Sequence, residues 1–136
     1  MQRKNISSGS PYESVAGYSR AVRLGQFVYV AGTTASDSEG KVHGIGNIYF
    51  QTKYVFQKIE AALKQADSEL DDIVRTRMFV TDISTASEVM RAHNEIFHDI
   101  RPAATLVQVS AFVSKEMLIE IEVDAVIKKK MDGSDF

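Results

Sequence analysis

Met117-Leu118-Ile119-Glu120-Ile121-Glu122-Val123-Asp124-Ala125-Val126-Ile127 alternates strictly. Met117, Ile119, Ile121, Val123, Ala125 and Ile127 fall on one side; Leu118, Glu120, Glu122, Asp124 and Val126 fall on the other. A period of two is that of a β-strand. One face therefore needs an apolar layer over it, and the other presents three carboxylates in a row.

The covering layer is legible in Asn47–Ala66. Ile48, Thr52, Val55, Phe56, Ile59, Leu63 and Ala66 recur at three- and four-residue steps, with Lys53, Gln57, Glu60 and Lys64 between them. This predicts an amphipathic helix of about five turns, with Asn47 as its N-cap. A second helix is predicted from the capping-box pattern Thr85-Ala86-Ser87-Glu88. Its stripe is Val89, Met90, His93, Phe97 and Ile100, and Pro102 forbids its continuation.

Further strands are predicted at about Ser19–Arg23 and Phe27–Thr33, joined through Leu24-Gly25-Gln26 as a hairpin. Ser36–Lys41 reads as a loop. Ile73–Thr81 alternates, with Val74, Thr76, Met78 and Val80 on one side and Arg75, Arg77, Phe79 and Thr81 on the other. Another strand is expected at about Ala104–Ala111. The order strand, strand, helix, strand, helix, strand, strand predicts an α+β fold. Its mixed sheet carries both helices on one face, within one domain spanning residues 1–136. The second face, to which Phe79, Leu106 and the tyrosine-bearing strands are assigned, is expected to be covered by further subunits.

Composition removes several function classes. With 16 basic and 18 acidic residues, the chain lacks the basic excess of a general nucleic-acid or membrane-surface binder. Without cysteine it can be neither a disulfide scaffold nor a thiol enzyme. His43, His93 and His98 have no ligand spacing, so no metal and no cofactor is expected. His93, on the apolar stripe, reads as a core residue. Gly44-Ile45-Gly46 lacks the third glycine of a dinucleotide loop. No stretch resembles a signal peptide or a membrane span, which makes the cytoplasm the expected location. Lys128-Lys129-Lys130 reads as a solvated end.

The row Glu120, Glu122 and Asp124 is the sharpest chemical feature. Three carboxylates this close resist joint ionisation unless cations or water reach them. Arg75 and Arg77 share a strand face, so cross-strand ion pairing is one explanation. A cleft carboxylate acting on water is the other.

The chain resembles the RidA/YjgF-like family, also known as endoribonuclease L-PSP, whose best-known members are enamine/imine deaminases. The resemblance runs from Gly17 to Val126. It rests on Gly17-Tyr18, Leu24-Gly25, Val30-Ala31-Gly32-Thr33, Asp72-Ile73-Val74-Arg75-Thr76, Phe79-Val80-Thr81-Asp82, Arg101-Pro102-Ala103-Ala104-Thr105 and Ile119-Glu120-Ile121-Glu122. It implies a homotrimer of the chorismate-mutase-like type, with small-molecule ligands in clefts between subunits. Glu120 matches the family's water-positioning glutamate, and Tyr18 its cleft tyrosine. Active members carry a carboxylate-binding arginine directly after Pro-Ala; here that position is Ala104. Arg101 and Arg91 are the candidate replacements. The expected lining is Tyr18, Thr33, Ala104, Leu106 and Glu120, with backbone N–H groups near Gly32-Thr33 holding the ligand's polar end.

Three functions stand as alternatives. One is hydrolysis of an imine, enamine or related carbonyl derivative, with 2-imino acids disfavoured by the lost arginine. Another is a non-catalytic metabolite-binding or regulatory trimer. The third is a ribonuclease or translation inhibitor, which the acidic balance counts against.

Overall fold

The structure is a computed structural model and describes residues 1–128. Its elements are β1 (Arg3–Ile6), α1 (Pro11–Ala16), β2 (Ala21–Leu24), β3 (Phe27–Thr33), α2 (Ile48–Gln65), β4 (Ile73–Val80), α3 (Ala86–Phe97), β5 (Ala103–Gln108) and β6 (Ile119–Val126). The six strands form one mixed sheet in the order β1-β2-β3-β6-β4-β5. Only β4 and β5 run parallel; the other neighbours are antiparallel. The expected α+β architecture is present. The solvated end read at Lys128–Lys130 lies, from residue 129 onward, outside the described residues.

The last strand behaves as its pattern requires. Ile119, Ile121, Val123 and Ala125 are buried, and Glu120, Glu122 and Asp124 are half-buried on the outer face. The buried row meets α2, whose predicted stripe from Ile48 to Ala66 is buried throughout. Asn47 caps that helix by accepting from Phe50 N at 3.0 Å. Helix α3 packs beside it. Phe97 sits edge-on to Phe56, and His93 lies between them with Nε2 3.0 Å from Thr76 Oγ1.

Several expectations are corrected. The polar N-terminus folds into β1 and α1. Ser10 caps α1 by accepting from Tyr12 N, Pro11 fixes the first turn, and Gly17 closes it at φ 78, where a side chain would be strained. Thr85 precedes α3 as expected but makes no capping bond. A 3-10 turn at Ile83–Thr85 has already bent its backbone, and its hydroxyl donates to Asp82 O. Met90 is exposed, and Ala92 takes its place in the buried stripe. Val74 is exposed and Ile73 buried, because a bulge between Ile73 and Arg75 shifts the phase of β4. Leu106 aligns with Met78 in the parallel register and packs against the core, so it belongs to the helix-facing side.

Burial holds the His93 imidazole below its ordinary value of 6.5. The folded state thus binds fewer protons than the unfolded chain, and stability present above pH 6.5 drains away as pH falls through that value. In urea unfolding at fixed protein concentration, His93→Gln should keep the Thr76 contact and flatten this part of the pH profile between pH 7.5 and 5. Identical profiles for the two proteins would show that His93 is not responsible.

Candidate functional site

The site is built at an irregularity in the sheet. Val30 pairs with Val123 and Thr33 with Ile121, leaving two residues, Ala31 and Gly32, opposite the single residue Glu122. Such a bulge bends its strand and re-aims the side chains beyond it. Val30 and Thr33, three apart, therefore both point at the helix layer; Thr33 is 1% exposed and its hydroxyl donates to Ala31 O at 2.7 Å. Its side chain does not line a cleft.

At Gly32 the backbone of β3 comes close to the acidic row. A Cβ there would collide with Glu120 Oε2 and stand 2.9 Å from Glu120 Cδ. The absence of a side chain is what lets the carboxylate lie over the β3 backbone. Burial raises the Glu120 carboxyl above the usual carboxylate range; the nearby Arg20 cation opposes that rise and the Glu122 anion adds to it.

Arg20, which the sequence did not single out, is buried on the same outer face. It stands opposite Ala31, whose N–H donates to its carbonyl, and its Nη2 donates to Gly32 O at 2.6 Å. Tyr18 is partly exposed, with its ring centroid 5.8 Å from the guanidinium. Tyr18, Arg20, Gly32 and Glu120 are thus gathered within one chain. Beside them, Tyr18, Tyr29, Ala31, Glu13, Glu122 and Asp124 help line an open cleft of about 670 Å³.

The other two carboxylates have an ordinary partner. Arg77 Nη1 lies 3.1 Å from Asp124 and 3.4 Å from Glu122. Cross-strand pairing therefore accounts for Glu122 and Asp124, and leaves Glu120 as the member without a salt bridge.

The residues expected on the far side of the cleft stay apart from this group. Ala104 aligns with the buried Thr76, whereas Glu120 pairs with Phe79 on the outer face. Within one chain Ala104 and Glu120 thus occupy opposite faces of the sheet. Arg91 lies in the helix layer, 3.7 Å over the Tyr49 ring and bound to Glu88 at 3.0 Å. Arg101 sits just beyond α3 with φ 55, and its Nε donates to His98 O at 3.0 Å. Among the described residues no group of His, Asp and Glu could hold a metal ion, and no helix is long and apolar enough to cross a membrane.

The pattern that defines the Endoribonuclease L-PSP family matches residues 9–127. The chain belongs to this family. It is 47% identical to Rv2704 of Mycobacterium tuberculosis, a member of the YjgF/YER057c/UK114 family. The two structures share 93% of this chain and all of the other, with a TM-score of 0.85. An uncharacterised protein of Streptomyces coelicolor is 36% identical over 90% of each chain. A RutC family protein of Pyrococcus abyssi is 31% identical over 90% of this chain and 95% of its own. The match begins at residue 9, so it takes in α1 and the Gly17-Tyr18 turn.

The contacts of Arg91 give a clear expectation. Removing it breaks the Tyr49 and Glu88 contacts on the helix layer and nothing on the Glu120 face. Arg91→Ala should lower the Tm while leaving cleft binding, measured by calorimetric titration of any ligand that Glu120→Gln affects, unchanged. A parallel loss of binding would place Arg91 in the site.

Proposed function

We propose that the protein is a RidA-like homotrimer that binds small molecules in clefts between subunits and hydrolyses imines, enamines or related carbonyl derivatives there. The observation that carries this reading is the seat of Glu120. It is a half-buried carboxylate fixed against a glycine, free of any salt bridge, and raised toward the pH range in which a carboxylate works as a general base. Water would add to the C=N carbon as Glu120 takes its proton. That proton would pass to nitrogen to give a carbinolamine; Glu120 would then take the hydroxyl proton and deliver it to nitrogen as well, so that the C–N bond breaks, ammonia or amine leaves and the C=O forms.

The need for a second subunit comes from the face assignment. A cleft that contains both the Glu120 side of β6 and the Ala104 side of β5 requires β5 of a neighbouring chain. The outer face also exposes Phe27, Tyr29 and Val107, apolar area of the kind that subunit contacts bury. A single RidA-like domain, assigned to residues 1–136 from the sequence, and cytoplasmic location complete the proposal.

Ala104 favours a second reading. Where active relatives of the resembled family place an arginine, a methyl group offers no clamp for a carboxylate, and losing a charge-assisted contact weakens binding by about 1.5–3 kcal/mol. A non-catalytic metabolite-binding trimer would tolerate that loss. Ribonuclease activity, which the family's name suggests, finds little support in a cleft lined by Glu13, Glu122 and Asp124.

The deciding assay generates imines in situ with an amine or amino-acid oxidase and follows their decay. Carboxylate-free imines should decay faster with the parent protein, and Glu120→Gln should lose roughly 100-fold of that gain. No acceleration for any imine would leave the binder. Ala104→Arg should tighten binding of a short 2-keto acid; tight binding already in the parent would mean that another cation serves as the clamp. Light scattering should give about three times the chain mass, and a monomer at micromolar concentration would remove the inter-subunit cleft.

A further inference from the structure

Arg20 is a buried cation that neither the core nor the ion pairs of the sheet explain. It is 7% exposed, and only Nη2 has a partner, the Gly32 carbonyl at 2.6 Å. Its Nε is buried with no acceptor. A charged donor without acceptor or solvent is costly, and native folds rarely leave one uncompensated. Glu120 is a carboxylate in the neighbourhood of Arg20 that makes no salt bridge among the described residues. Its Oε2 lies against the very residue whose carbonyl Arg20 already holds, and the two charges are close enough for Arg20 to favour the ionised form of Glu120.

We propose that Arg20 is the positioning residue of the cleft: anchored on the Gly32 carbonyl, its guanidinium takes the Glu120 carboxylate through Nε and holds it ionised and aimed at bound water. The inference rests on the reading of Glu120 as the water-positioning group. A fixed, ionised carboxylate accepts a hydrogen bond from water, whereas a protonated one does not. A planar guanidinium with several donors suits the task, since one edge can stay on the backbone while another meets the carboxylate.

The charged neighbours bear on both partners. Glu122, on β6, works against ionisation of Glu120, and Arg77 on β4 partly neutralises Glu122. Glu13 in the first turn of α1 and Lys58 on α2 both feel the Arg20 charge. Lys58 is itself pushed down to about 8 by burial, with Arg20 adding to the shift, while its ammonium donates to Thr34 O and Ser36 O. A protonated Lys58 cannot accept from Nε, so it does not compete with Glu120 for that donor.

The test reads the pair directly, without substrate. In protein carrying 13C-labelled glutamate, the side-chain carbon signal of Glu120, assigned by its loss in Glu120→Gln, is titrated from pH 4 to 9. Arg20→Gln should move the Glu120 midpoint to higher pH, and Arg20→Lys should restore part of the shift. Reciprocally, Glu120→Gln should shift the Arg20 Nε–H signal of 15N-labelled protein. An unmoved midpoint in a folded Arg20→Gln, or an unmoved Nε–H signal in Glu120→Gln, overturns the proposal. The second measurement decides alone if Arg20→Gln does not fold. Coupling observed in a protein that accelerates no imine decay would sink the catalytic reading and keep the Arg20–Glu120 pair. Glu120-dependent hydrolysis without coupling would do the reverse.

Discussion

Everything at the site depends on Glu120 lying over a residue that has no side chain. The bulge at Ala31-Gly32 puts two residues of β3 where the sheet has room for one, and the extra residue brings backbone under the carboxylate. A regular β3 would turn Thr33 outward and present a side chain beside Glu120. With the bulge, Thr33 joins the core, Gly32 faces the carboxylate, and the Gly32 carbonyl becomes available to Arg20. A local defect in pairing thus sets the geometry of Glu120 and Arg20 together, and such defects are concentrated beside active sites.

The same sheet puts Glu120 and Ala104 on opposite faces. Its helix-facing side is closed by α2 and α3 around Phe56, His93 and Phe97, and its outer side keeps half-buried carboxylates beside exposed aromatic residues. Glu122 and Asp124 are held by the Arg77 cation. Glu120 stands apart because it lies on a glycine and its nearby cation, Arg20, is held by the Gly32 carbonyl. The division of labour along β6 is therefore one of environment, since the side chains themselves are nearly alike.

Much of this fold is legible in the sequence because it rests on long, regular periodicities. The β6 alternation and the α2 stripe are each long enough to outweigh local noise, and Asn47 announces its helix. The failures share a cause. Val74 falls to the wrong face because it lies beside a bulge, which period-two reading cannot register, and a bulge likewise turns Thr33, expected in the cleft from the resemblance, into the core. The six residues of α1 are too few for a periodic signal, although Ser10, Pro11 and Gly17 mark its ends. Glu120 was recognisable from its strand and its resemblance. Arg20 was not, because nothing in Tyr18-Ser19-Arg20-Ala21 says that it will meet Glu120, far along the chain. Only strand order brings β2, β3 and β6 side by side.

The steric pairing of Gly32 with Glu120 is best tested by a double-mutant cycle on stability. Parent, Gly32→Ala, Glu120→Ala and the double variant are unfolded in urea at one protein concentration, since the proposed trimer would make stability depend on it. Adding a methyl group at Gly32 should cost stability in the parent and little or nothing once Glu120 is truncated, with a coupling of about 0.5–3 kcal/mol. Equal costs in both backgrounds would mean that the carboxylate does not rest on Gly32, and the geometry that orients it would have to be abandoned.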